Sequence, residues 1–139
     1  MLIFLYGLLA FMLLSVCYTD ISSRRIKNNA VVFIAVLSLT ISVVQGNGIN
    51  IFWPFITLVL GMFLVTMNVI GAGDIKLISA LSLSLPAKQM ADFIFWITLS
   101  GIPLILIVVA LRLWHPGSKK MTLPYGVAIS CGYLLHLLG

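Results

Sequence analysis

Residues 51–85 read IFWPFITLVLGMFLVTMNVIGAGDIKLISALSLSL. From Ile51 to Ile70 no side chain carries a charge, and the run is long enough to cross roughly 30 Å of hydrocarbon as an α-helix. Pro54 falls in its first turn, where the missing amide donor costs little. Gly71-Ala72-Gly73-Asp74-Ile75-Lys76 follows, and a second apolar run from Ile75 to Leu85 breaks at Pro86. As a helix that second run rises only about 16 Å, so it is either a short tilted span or a re-entrant piece.

The flanking sequence repeats the pattern. Leu2 to Thr19 is apolar and stops at Asp20, ahead of a polar turn of Ser22, Ser23, Arg24, Arg25, Lys27, Asn28 and Asn29. Ala30 to Val44 is apolar and ends in Gln45-Gly46-Asn47-Gly48, an uncharged turn signal. Phe93 to Leu111 carries Gly101 and Pro103, between which a kink is expected. Arg112, His115, Lys119 and Lys120 form a second basic turn before a last run from Met121 or Thr122 to Leu138. Hydrophobic residues make up 62% of the 139-residue chain and charged residues 8%, with a mean hydropathy of +1.22. A watery surface cannot be built from that composition, since soluble domains carry roughly 25% charged residues. The expectation is an all-α, polytopic integral membrane protein with about six transmembrane helices, in a single membrane-embedded domain over 1–139. Trp53, Trp96, Trp114, Tyr18 and Tyr125 lie near run ends, as interfacial anchors do.

Charge sets the orientation. With six crossings and both termini outside, Arg24, Arg25, Lys27, Lys76, Arg112, Lys119 and Lys120 are cytosolic and Lys88 alone is external, seven against one. If the short fourth run failed to cross, the Arg112 to Lys120 turn would move outside. Six spans in a cytoplasmic (inner) membrane are therefore expected. The net charge of +5 marks that cytosolic side and membrane lipid, not nucleic acid. Residues 1–19 lack a basic start and a small-x-small cleavage site, so they read as a retained first span. Cys17 and Cys131 stand alone in apolar runs and read as small buried hydrophobes. His115 and His136 fall at different depths, so no metal site is expected.

The chain has three acidic residues, and the topology places Asp20 and Asp74 at the same cytosolic edge. Two carboxylates held side by side cannot both ionise comfortably. One proton is shared, and the pair offers a base and an acid at once, as peptide hydrolysis by water requires. Gly71 and Gly73 would permit unusual dihedrals and close passage of a substrate backbone beside Asp74. The same residues admit a structural reading, in which Asp20 ends a helix at an interface and Asp74 caps the fourth helix. Lys76 reads as a snorkelling interfacial lysine that can also act on Asp74. Asp92 falls on the opposite side, beside Lys88, as an anchor. Pro124-Tyr125-Gly126 opens the last span either as a plain helix start or as a wall touching substrate.

Tyr18-Thr19-Asp20-Ile21 with its basic turn to Asn28, Gly71-Ala72-Gly73-Asp74-Ile75-Lys76 and Pro124-Tyr125-Gly126 together resemble the type IV prepilin peptidases, membrane aspartic peptidases that include archaeal preflagellin peptidases. The resemblance implies that Asp20 and Asp74, the latter in a G-x-G-D motif, are catalytic. Gly71, Gly73, Lys76, Pro124, Tyr125 and Gly126 are then substrate-binding or motif residues. It also implies cleavage, at the cytosolic face, of a short basic leader ahead of the apolar N-terminal helix of a pilin-like or flagellin-like precursor. Larger members carry a paired-cysteine zinc portion and a methyl-transfer activity. This chain looks like the short, peptidase-only kind of tight-adherence pilus systems or archaea, so neither zinc nor S-adenosylmethionine is expected, nor any other cofactor. Two departures stand out: Ile26-Lys27-Asn28 replaces the common Ile-Pro-Asn, and the basic turns repel a basic leader unless anionic lipid offsets them. The alternatives are a small ion-coupled transporter or channel, which needs a polar path across the membrane, and a non-catalytic scaffold.

Overall fold

The computed structural model describes the chain except Arg24, Asn47, Val69, residues 115–122 and the side chain of Arg112. His115, Lys119, Lys120 and the expected start of the last run at Met121 or Thr122 therefore lie outside the described residues, as do Arg24 and Asn47. Six α-helices follow one another: α1 (Leu2–Ser23), α2 (Asn28–Gln45), α3 (Phe52–Thr66), α4 (Ala72–Ser82), α5 (Met90–Trp114) and α6 (Tyr125–Leu138). A single 3-10 turn, Ala87–Gln89, precedes α5. Three stretches, Leu2–Ser23, Asn28–Gln45 and Ala87–Leu111, are long and apolar enough to cross a membrane, while α3 and α6 are shorter apolar helices.

Local chemistry sets the boundaries. Gly46 ends α2 with φ 72°, its amide donating to the Val43 carbonyl at 3.1 Å, a left-handed cap that glycine reaches without strain. Asn68 follows α3 with φ 57°, one of the few non-glycine types that tolerate that region. Two expected boundaries move. The helix of the first run continues beyond Thr19 to Ser23, with Ser23 Oγ donating to the Thr19 carbonyl at 2.8 Å, so Asp20 lies in the last turn of α1. Nor is Gly71-Ala72-Gly73 a break before the fourth helix. Gly71 is its extended cap, and the amides of Asp74 and Ile75 bond to the Gly71 carbonyl, so α4 starts at Ala72.

The bundle is apolar outside and partly polar inside. Phe11, Leu14, Phe33, Phe63, Phe95 and Leu106 are exposed, whereas Ser38, Ser42, Ser79, Ser82, Ser84 and Ser130 are buried. Such a molecule gains little from burying hydrocarbon, because lipid tails are as apolar as leucine; close packing and hydrogen bonds must hold its helices together. Both are present. α4 lies at the centre against α2, α3 and α6, with α1 packed on α2 and α6 and with α5 on α6. Gly61 lets α3 approach Ile75 of α4, and Ser79 Oγ donates to the Pro54 carbonyl across the same pair at 2.9 Å. Gly132 of α6 faces the backbone of Ile97 on α5, and Ser100 Oγ donates to the Ala128 carbonyl at 2.6 Å. Ser84, just past α4, bonds the Tyr133 hydroxyl of α6 at 2.7 Å.

Contacts at the two ends give the helix directions. Asp20 and Asp74 share one cleft, whereas Tyr6, Gln45, Gln89, Asp92 and His136 line a cavity at the opposite end. The chain thus passes from one end of the bundle to the other between Asp74 and Gln89. The eleven residues of α4 rise only about 16 Å, and the turns from Leu83 to Gln89 complete the distance. Short length suits α4, since most of its surface meets protein. Cys131 corrects an expectation: it is exposed on α6, and Cys17 is half-buried; both are free thiols.

A β-carbon at Gly132 would stand 2.7 Å from the Ile97 Cα, so Gly132→Val is expected to cost roughly 1–3 kcal/mol and lower the melting temperature in detergent. Gly7 has nothing within 4 Å of an added β-carbon, and Gly7→Ala should hold or raise it, by up to about 1 kcal/mol from helix propensity.

Candidate active site

Asp20 and Asp74 are the two buried carboxylates of the described residues, 6% and 9% exposed. An unpaired carboxylate at such burial costs several kcal/mol, so each must find donors. Asp20, in the last turn of α1, accepts a hydrogen bond at Oδ2 from the Gly126 amide at 2.8 Å. Asp74, in the first turn of α4, has its carboxylate against the Gly71 backbone: the Gly71 amide is its hydrogen-bonding neighbour, and a β-carbon there would lie 2.9 Å from Asp74 Oδ2. The cap of α4 is Gly71 and no side chain caps it, so Asp74 stands inside the first turn, not at the cap position, with its carboxylate at the cleft.

The cleft measures about 490 Å³ and is lined by Asp20, Arg25, Ile26, Gly71, Ala72, Gly73, Asp74, Leu123 and Tyr125. The two carboxylates are near enough to repel one another electrostatically. Arg25 and Tyr125 are exposed and mark the mouth. Such a volume suits a short extended peptide or a small ligand.

Of the remaining residues singled out from sequence, Gly71, Gly73 and Tyr125 line the cleft, and Gly126 touches Asp20. Pro124 is the cap of α6 and is set back from the lining. Lys76 turns away: its Nζ donates to Asn28 Oδ1 at 3.3 Å, tying α4 to the start of α2. Asp92 and His136 lie at the other end, in the cavity with Tyr6, Gln45, Gln89 and Trp96. Among the described residues no group of three or more His, Cys, Asp or Glu side chains gathers as a metal site requires.

The glycines work differently from expectation. Gly71 has φ −72°, and Gly73 is helical; among the described residues the left-handed glycines are Gly46 and Gly48. What matters is proximity. A β-carbon on Gly71 would lie 2.9 Å from Asp74 Oδ2, one on Gly73 would lie 3.2 Å from Ile26 Cβ, and one on Gly126 would meet both Asp20 and Ile26. Arg25, Ile26, Ala72 and Leu123 line the cleft without having been singled out as site residues from sequence, and Ile26 is the one that meets both Gly73 and Gly126. Its signal was present: it is the single apolar side chain between Ile21 and Ala30, in a turn otherwise polar and basic.

A bundle of apolar helices that buries two carboxylates at one end of a cleft defines a helical membrane protein with an acidic site. The model of the Type IV leader peptidase family matches residues 7–109. The chain belongs to that family. The matched stretch contains Asp20 and Asp74 and ends before Pro124-Tyr125-Gly126. No curated protein and no solved structure matches the chain.

Gly73→Val would press on Ile26 and through it on the turn that carries Arg25. The expected outcome is at least a tenfold loss of peptidase activity, about 1.4 kcal/mol in the barrier, with a melting temperature within a few degrees of the parent. Parallel loss of both would mean that the clash is global.

Proposed function

We propose that this chain is a membrane aspartic endopeptidase that removes the short basic leader of type IV pilin-like precursors, with Asp20 and Asp74 as its catalytic pair. The observation that carries the reading is that two acids distant in sequence line one cleft and interact electrostatically, in a chain of the leader peptidase family. Two carboxylates so held share one proton. The ionised one takes a proton from water as the water oxygen bonds to the scissile carbonyl carbon; the other gives its proton to the carbonyl oxygen. When the tetrahedral diol collapses, the C–N bond breaks. The nitrogen takes a proton from one carboxyl as a diol hydroxyl returns its proton to the other carboxylate, so a carboxylic acid and a new amine leave and the pair again holds one proton.

The surroundings support this use. Gly71, Ala72 and Gly73 present little but backbone along one wall, which lets an extended substrate approach Asp74. Tyr125 at the mouth offers an apolar ring with a polar tip to the junction between leader and apolar helix. The reading is of peptidase activity alone, in one domain, without methyl transfer or cofactor. Six spans with both termini outside put the cleft at the cytosolic face of a cytoplasmic membrane, the arrangement favoured by the distribution of Lys and Arg. The transport alternative needs a continuous polar path, and among the described residues Leu77, Leu81, Ile129 and Tyr133 are fully or almost fully buried in the core between the two ends.

Asp20→Asn and Asp74→Asn are each expected to lower cleavage of a pilin-like precursor by at least roughly a thousandfold, read by mass spectrometry of the products, with the protein still inserted and folded. Asp92→Asn, at the opposite end, should keep most activity. Parental turnover by either cleft variant at equal expression would exclude the dyad.

Orientation has its own test. In a background without Cys17 and Cys131, Ser23→Cys should react with an impermeant thiol reagent only from the cytosol, and Ala87→Cys only from outside. Labelling of both from one side would show that the segment containing α4 does not cross.

A further inference from the structure

The position of Asp20 is awkward for a working carboxylate. It sits in the last turn of α1, where the helix presents its unsatisfied carbonyls and the negative end of its dipole. At 6% exposure it has little water to offset that environment. One compensating donor comes from another helix. Gly126 is the second residue of α6, so its amide is one of the donors that a helix start leaves without an internal partner. That amide points at Asp20 Oδ2 from 2.8 Å, bringing the positive end of the α6 dipole with it.

The approach is possible only without a side chain. An ideal β-carbon on Gly126 would lie 2.7 Å from Asp20 Oδ2, 3.0 Å from its Cγ and 3.2 Å from Ile26 Cδ1. Ile26 therefore stands against the same spot from the turn after α1. Gly132, one face further along α6, is a useful contrast: its missing β-carbon makes room for the Ile97 backbone of α5 and touches no acid.

We infer that Gly126 is a positioning residue for the reaction: its amide and its missing side chain hold the Asp20 carboxylate in the orientation that presents it to the cleft shared with Asp74. The inference rests on the peptidase reading above and adds a third group to the machinery, from a helix outside the stretch that matches the family. It gives Pro124-Tyr125-Gly126 a role neither of its sequence readings contained. Pro124 starts the helix, and Gly126 spends the first free amide on an acid of α1.

The test uses the full chain in lipid nanodiscs and a synthetic precursor peptide with a short basic leader ahead of an apolar helix. Gly126→Ala is expected to lower kcat at least tenfold while KM stays within twofold and the melting temperature within a few degrees. In infrared spectra of protein labelled with ¹³C-aspartate, the carboxylate band that disappears in Asp20→Asn should shift in Gly126→Ala. Gly132→Ala should do the reverse, with a lowered melting temperature, parental kcat per folded molecule and an unmoved band. Parental kcat in Gly126→Ala, an unmoved band, or a loss that only follows the melting temperature would overturn the inference. If Gly126→Ala does not fold, the double variant Gly126→Ala with Ile26→Ala, which removes one of the two side chains that the new β-carbon meets, should fold, lower kcat and shift the same band; an unmoved band overturns the inference there too. Asp20→Asn at the parental rate would instead remove the peptidase reading itself, so the two failures are distinguishable.

Discussion

Burial of two carboxylates in a bundle with a hydrocarbon-like exterior governs how the rest of the chain is laid out. Both acids are met by backbone amides at helix starts: Gly126 of α6 for Asp20, and the Gly71 cap of α4 for Asp74. A helix start is the one place where the backbone has donors to spare. Two helices must therefore begin at the end of the bundle where α1 finishes. Once α4 and α6 start there, the direction of α5 and the position of the Ala87–Gln89 turn at the far end follow.

The same requirement explains why α4 is short and central. A helix carrying a buried acid at its first turn needs protein on most sides, and α4 is flanked by α2, α3 and α6. Without a hydrophobic drive between helices, these neighbours are held by close backbone approach at Gly61 and Gly132 and by serine hydroxyls bonded to carbonyls across the contact. The site and the scaffold thus use one set of devices, glycines and backbone hydrogen bonds, in different places.

Much of this was legible in the sequence. Apolar runs bounded by polar turns mark all six helices because a lipid-facing helix has to be apolar along its length, and Gln45-Gly46 marks the end of α2 because a left-handed cap needs glycine. The two acids stood out because so few polar groups interrupt the runs. The boundaries near the acids were less visible. Thr19-Asp20 looks like the end of a run, but polar residues at a helix end can continue the helix, and α1 does so to Ser23. Gly71-Ala72-Gly73 looks like a break, because glycine propensity is local, whereas the start of α4 is fixed by bonds from Asp74 and Ile75 back to Gly71. The meeting of Gly126 with Asp20 had no local signal at all. It arises from the packing of α6 on α1, a contact between the two ends of the chain.

Ile26 touches the space that β-carbons at both Gly73 and Gly126 would occupy. One side chain in the turn after α1 thereby makes three positions, far apart in sequence, a single problem of volume. At Gly73 a larger residue is tolerable only if position 26 shrinks, whereas at Gly126 a smaller residue at 26 would still leave the Asp20 carboxylate in the way.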